Sequence, residues 1–161
     1  MGEDDFREEQ RFTQRWLLLL IYSLWALTLI VPLLVLLEKK AVFFIAFLPF
    51  LIMFVVALFF RITKFQTTIS DEGIYYRFFP FQIKFREIKK SDIDSIEVKT
   101  YDPIREYGGW GIRYGESGLA YSVKGNKGIY ISLRSGFHFM IGTCRPDEAE
   151  RFLRDRGYKV R

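Results

Sequence analysis

The side chains with the richest chemistry in this sequence stand alone. His138 is the only histidine and lies between Phe137 and Phe139, and Cys144 is the only cysteine. A catalytic histidine works with a nucleophile or a second group within hydrogen-bond reach, and the neighbours of His138 offer no recognisable motif of that kind. One cysteine rules out an internal disulfide and any multi-cysteine metal centre, in agreement with a reducing compartment. Cys144 stands between Thr143 and a helix start, where a buried structural thiol is the default reading and a mildly reactive one the alternative. No cofactor, no metal and no catalytic residue are therefore expected.

The stretch Arg105-Glu-Tyr-Gly-Gly-Trp-Gly-Ile-Arg-Tyr-Gly raises the question of a phosphate-binding loop. Such a loop sets its glycines between a strand and a helix, so that phosphate oxygens meet the helix N-terminus. Here Trp110, Ile112 and Tyr114 alternate with Gly111 and Arg113, and another strand pattern follows. The glycines read as strand features: Gly108 and Gly109 for a bend or bulge, Gly111 for close approach of a neighbouring segment. Asp102, Arg105, Glu106, Trp110 and Arg113 are candidates for a partner-binding surface around that bend, since Tyr, Trp and Arg dominate interface hot spots. The plain alternative puts Trp110 in the core and leaves Arg113 in solvent.

The formal net charge is +5, and bases outnumber acids from Arg61 onward. Beside an anionic leaflet each basic residue near the surface contributes up to about 1 kcal/mol of attraction. Lys84, Arg86, Lys89 and Lys90 form the densest cluster, and Lys124 and Lys127 flank the Asn126 turn. All six are candidates for lipid-headgroup contact, with an ordinary solvated face as the alternative. The cations are scattered among acids, so no nucleic-acid partner is expected.

Short strands must position these groups. Alternating segments run over 67–70, 74–79, 83–88, 93–101, 110–114, 119–123, 129–133 and 137–143. Turns such as Asp71-Glu72-Gly73, Glu116-Ser117-Gly118 and Arg134-Ser135-Gly136 separate them, which predicts antiparallel hairpins. One helix closes the chain: Pro146 suits its first position, Asp147 and Glu148 its first turn, and Gly157 its stop. Its narrow stripe of Ala149, Phe152 and Leu153 needs a sheet to cover.

The first part of the chain is different in kind. Trp16–Leu37 and Ala41–Phe60 contain no charged residue and are apolar on every face. Each run meets the roughly 20 residues required to cross a hydrocarbon core. The expected organisation is an N-terminal segment 1–15, a two-span transmembrane hairpin 16–60 (16–37 and 41–60) and a β domain 61–161. Pro32 and Pro49 are expected to kink the spans. Without an acid, base or histidine inside them, the spans carry no proton relay or ion path. Arg7, Arg11, Arg15, Arg61, Lys64 and Arg77 flank the spans against Lys39 and Lys40 in the turn, which predicts both termini in the cytoplasm.

The order of strands and one final helix resembles a pleckstrin-homology-like barrel. The likeness is closest over Ile129-Tyr-Ile-Ser-Leu-Arg-Ser-Gly-Phe-His-Phe-Met-Ile-Gly-Thr-Cys-Arg-Pro-Asp-Glu-Ala-Glu-Arg-Phe-Leu, which is similar to the end of bacterial pleckstrin-homology-like domains. The preceding hairpin resembles uncharacterised bacterial and archaeal membrane proteins of this type. The resemblance implies an antiparallel barrel of two nearly orthogonal sheets closed by the C-terminal helix. Phosphoinositide-binding members carry Lys and Arg between their first two strands, whereas Ser70-Asp71-Glu72-Gly73 is acidic, so the headgroup site is not expected there.

The leading expectation is a non-enzymatic integral membrane protein of the cell membrane that binds a membrane-protein or peptide partner at the cytoplasmic face. Self-association is left open. Two alternatives stay in place: an anionic-lipid sensor, and a membrane-associated enzyme or transport subunit in which Asp102, Glu106, Arg113 and His138 converge.

Overall fold

The structure, a computed structural model, describes residues 5–37, 43–115 and 118–161. The expected turns at Glu38-Lys39-Lys40 and Glu116-Ser117 lie outside the described residues. The chain divides into two units, Phe12–Thr63 and the remainder, Met1–Arg11 with Lys64–Arg161.

The apolar unit holds α1 (Arg15–Leu27), α2 (Ile30–Leu37) and α3 (Phe43–Ile62). α1 and α3 run antiparallel: Phe12 meets Phe60 at 5.4 Å, and Trp25 stacks on Phe50 at 5.3 Å and lies 5.7 Å from Phe54. Helix α1 stops at Thr28-Leu29. The backbone amide that would close a helical bond onto the Thr28 carbonyl belongs to Pro32, which has no N–H to give. Pro49, by contrast, lies inside an uninterrupted α3. By length and composition, one helical stretch, Arg15–Val35, is long and apolar enough to cross a membrane, and Phe47–Ile62 is a shorter apolar helix.

The second unit is mainly β. One sheet has the order β1-β2-β3-β4, with β1 (Phe6–Arg11), β2 (Lys64–Ile69), β3 (Gly73–Phe79) and β4 (Arg86–Lys89), all antiparallel. A 3-10 turn, Lys90–Asp92, leads into β5 (Ile93–Thr100), and the short helix α4 (Pro103–Tyr107) follows it. The second sheet has the order β5-β8-β9-β7-β6, with β6 (Gly111–Gly115), β7 (Gly118–Ser122), β8 (Lys127–Leu133) and β9 (His138–Gly142). Helix α5 (Pro146–Asp155) ends the domain.

The core is built from the inward faces of both sheets. Phe65 and Phe78 of the first sheet and Tyr121, Ile131 and Ile141 of the second are almost wholly buried. The Phe65 and Tyr121 rings stack at 6.1 Å, and Tyr76 meets Tyr121 at 4.8 Å. Ala149 and Leu153 bury the stripe of α5, and Phe152 packs 6.2 Å from Phe6 of β1. Each such large side chain contributes about 1.5–3 kcal/mol of burial.

Three expectations need correction. Residues 6–11, expected within an N-terminal segment 1–15, are a strand of the β domain: β1 pairs with β2 from Phe6↔Ile69 to Arg11↔Lys64. The strands are not all antiparallel neighbours in sequence, because β7 lies parallel to β9 through Leu119↔Phe139, Ala120↔Met140 and Tyr121↔Ile141. Among the described residues no strand pairing joins the two sheets, so no barrel closes.

Candidate functional site

The residues singled out between Asp102 and Gly115 form a helix cap, a turn and an edge strand. Asp102 precedes Pro103, and its Oδ1 accepts from the amides of Ile104 at 3.0 Å and Arg105 at 3.1 Å. Glu106 reaches back so that its Oε1 accepts from the Asp102 amide at 2.7 Å. This reciprocal cap satisfies amides that the first turn of a helix leaves open. Gly108 ends α4 at φ 69°, and its amide donates to the Ile104 carbonyl at 2.9 Å, while that of Gly109 donates to Pro103 at 2.8 Å. The expected bend or bulge is thus a helix C-terminus with the left-handed residue that such ends favour.

Close approach occurs at Gly115 and not at Gly111. A Cβ on Gly115 would stand 2.4 Å from the Glu106 carbonyl oxygen, whereas one on Gly111 would meet only Arg113 Nε at 3.8 Å. Trp110 is half-buried, and its Nε1 donates to the Gly125 carbonyl at 2.9 Å, which pins the turn between β7 and β8. Arg113 Nε donates to the Trp110 carbonyl at 3.3 Å. Arg105, Ile112, Arg113 and Tyr114 are exposed, Tyr114 to 76%. Beneath them Tyr101, Tyr107, Ala120, Tyr130 and Met140 form one buried cluster.

β6 is one edge of its sheet, and β5 is the other. The β5 edge is engaged by the chain end, where Ile96 donates to Lys159 and accepts from Arg161, both at 2.9 Å. The β6 edge carries no strand partner beyond β7 among the described residues.

A groove of about 360 Å³ on the second sheet is lined by Ser95, Glu97, Lys99, Tyr130, Ser132, His138 and Arg161. Lys99 pairs with Glu97 at 2.9 Å and lies 4.3 Å above the Tyr130 ring. His138 Nδ1 is 3.3 Å from Ser132 Oγ, and the Tyr130 hydroxyl donates to Glu106 Oε2 at 3.3 Å. Burial, aided by Tyr107 and Glu106, holds the Tyr130 phenol well above its ordinary range. The groove contains His138 but not Asp102, Glu106 or Arg113, so the four residues of the enzymatic alternative do not share it. Among the described residues no three His, Cys, Asp or Glu side chains are grouped to hold a metal ion.

The six basic candidates do not form one face. Lys84 and Arg86 are exposed in and after the β3–β4 loop, and Lys89 is exposed at the end of β4. Lys90 is half-buried, donates to the Arg156 carbonyl at 2.5 Å and lies 4.8 Å above the Tyr158 ring, so it braces the end of α5. Lys127 begins β8 of the other sheet, where it donates to Thr100 Oγ1 at 2.6 Å, and Lys124 lies in the turn before it.

Sequence reasoning missed two groups. In β1, Glu8 is buried and accepts from the Thr143 hydroxyl at 2.6 Å and the Cys144 amide at 2.7 Å, and Gln10 donates to the Gly142 carbonyl at 2.7 Å. Cys144 itself is exposed, its thiol pushed up by partial desolvation and by the Glu8 charge. The second group is the apolar tip of the β3–β4 loop, Phe81 and Ile83, which are 64% and 75% exposed. The strand expected over 83–88 includes Ile83, whereas the strand present is Arg86–Lys89 and Ile83 belongs to the loop before it. No protein-family model, curated protein or solved structure matches the chain.

Proposed function

We propose that the chain is a membrane-anchored, non-enzymatic module whose apolar helices cross the bilayer as a two-span hairpin. On this reading it holds a pleckstrin-homology-like β domain at the cytoplasmic face, where it engages a membrane protein or peptide segment. One observation carries the anchor: Arg11 of β1 stands opposite Lys64 of β2. The whole apolar segment is an insertion between two paired strands, leaving the sheet and returning to it at one place. That placement supports the reading in which residues 12 and 63 lie on one side of the membrane and the segment between them crosses it an even number of times. Two supports are independent of this. Only 12% of the most apolar window of 15–35 is buried, the opposite of a soluble core helix. Trp16 is exposed at the start of α1, where an interfacial aromatic belongs.

The partner reading rests on the open β6 edge with exposed Ile112, Arg113 and Tyr114 beside Arg105. Extended peptides add to such edges through backbone hydrogen bonds, and flanking side chains supply selectivity. Tethering raises the effective concentration of the edge near membrane partners. The pleckstrin-homology-like likeness lies in the order of elements, strands followed by one final helix.

Alkaline extraction of native membranes tests the anchor, with reporters fused to each terminus. The chain is expected to stay in the pellet with both reporters cytoplasmic; reporters on opposite sides would sink the hairpin. Crosslinking mass spectrometry tests the partner: Arg113→Ala with Tyr114→Ala is expected to abolish one reproducible crosslinked protein. Retention of every crosslink would remove β6 from consideration.

A further inference from the structure

The sheet end at which the chain enters and leaves the apolar segment carries a second feature. Lys64 is opposite Arg11 on one side and Phe79 on the other. The β3–β4 loop starts at the next residue, Pro80, so it begins at the sheet end where Arg11 leads into Phe12 and Thr63 leads into Lys64.

The loop is held in shape. The Gln82 amide donates to the Phe78 carbonyl at 2.8 Å, Gln82 Oε1 accepts from the Phe78 amide at 3.2 Å, and Gln82 Nε2 donates to the Tyr121 hydroxyl at 3.4 Å. Arg77 donates to the Ile83 carbonyl at 3.1 Å and lies 4.5 Å above the Phe85 ring. With Gln82 drawn inward, its neighbours Phe81, whose ring lies 5.9 Å from that of Phe78, and Ile83 are largely exposed, and Lys84 and Arg86 are exposed beside them. An ordered loop that presents two large apolar side chains to water is costly unless something covers them. Cations next to that apolar tip match the layered chemistry of a bilayer surface, with acyl chains below and anionic headgroups above.

We propose that the β3–β4 loop is a second membrane contact, in which Phe81 and Ile83 enter the acyl boundary while Lys84 and Arg86 meet anionic headgroups. The inference rests on the membrane-anchor reading and goes beyond it, because a hairpin alone leaves the domain free to swing on its two connections. An inserted loop adds a third attachment at the same sheet end and fixes which face of the domain meets solvent.

The test uses the full chain carrying Cys144→Ser, reconstituted in nanodiscs of phosphatidylcholine with phosphatidylglycerol. Ile83→Cys, or Phe81→Cys as a second variant, is labelled with an environment-sensitive fluorophore. Ser135→Cys is the reference: it lies in the β8–β9 turn, where Arg134 donates to the Asp92 carbonyl next to β4, away from the Phe79 end. Emission at 83 is expected to shift to the blue, and doxyl-labelled lipid to quench it several-fold more than at 135. Lys84→Gln with Arg86→Gln should reduce that quenching in anionic discs. Equal, water-like signals at 83 and 135 from a disc-embedded chain would overturn the loop contact and leave the anchor standing. Shielding from aqueous iodide without lipid quenching would overturn it in favour of protein contact. A chain that does not enter the discs would overturn the anchor reading and this inference together.

Discussion

The segment 102–115 and the β3–β4 loop are written in similar residue types, aromatics and cations among turn formers, yet the fold uses them in opposite ways. In the first, Asp102 and Glu106 are consumed by the cap of α4, Trp110 donates to Gly125 and Arg113 to the Trp110 carbonyl. In the second, the internal bonds run through Gln82 and Arg77, and the large apolar groups are left outside. Composition made the first look like the interface; accounting for donors and acceptors gives much of it a structural role and moves attention to the exposed strand behind it and to the other loop. A hot-spot composition is informative only after the polar groups already engaged within the domain have been subtracted.

The contrast predicts large stability effects in the first region and small ones in the second. Gly115→Val should be the most damaging: any Cβ there collides with the Glu106 carbonyl, and overpacking of this kind costs about 1–3 kcal/mol. Thermal unfolding of the full chain in detergent, followed by circular dichroism, reads the loss directly. Asp102→Ala removes the N-cap and should cost about 1 kcal/mol. An unchanged melting temperature would mean that α4 does not depend on its cap and that Asp102 is available for a partner.

Alkaline pH should weaken the same region. Burial raises the phenols of Tyr101 and Tyr130, both in the cluster beneath that region, above the ordinary value of 10.0. A group whose folded pKa is raised contributes stability below its unfolded pKa and loses it as pH rises through the folded one. Melting should therefore be level below about pH 10 and fall above it, and Tyr130→Phe should flatten part of that fall. The loop has no tyrosine of its own between Pro80 and Arg86. Ile83→Ser should be the mildest change, within about 0.5 kcal/mol as for an exposed site, while weakening lipid contact. A large loss on Ile83→Ser would mean that the side chain is packed, and the contrast between the two regions would collapse.

Much of the architecture was legible in the sequence. Local periodicity and turn residues located the strands of Gly73–Phe79, Ile93–Thr100 and Lys127–Leu133 closely, and Pro146, Asp147 and Glu148 marked the start of α5. The charge-free apolar runs were equally plain, because periodicity, helix signals and hydropathy are properties of neighbouring residues. What tertiary structure decided lay in long-range pairing. β1 was invisible as a strand of this domain because its inward Glu8 and Gln10 are polar, and their partners at Gly142, Thr143 and Cys144 stand more than 130 residues away. The parallel placement of β7 beside β9 left no local mark, since alternation along a strand is the same whichever neighbour it takes. The roles of Gly108 and Gly115 likewise depended on a backbone angle and on one carbonyl oxygen brought close by the fold. The sequence alone thus determined most of the strands, the final helix and the apolar runs; only the fold decided that 6–11 is a strand, that 103–107 is a helix and that the apolar runs are inserted between two paired strands, because these depend on which distant groups find each other.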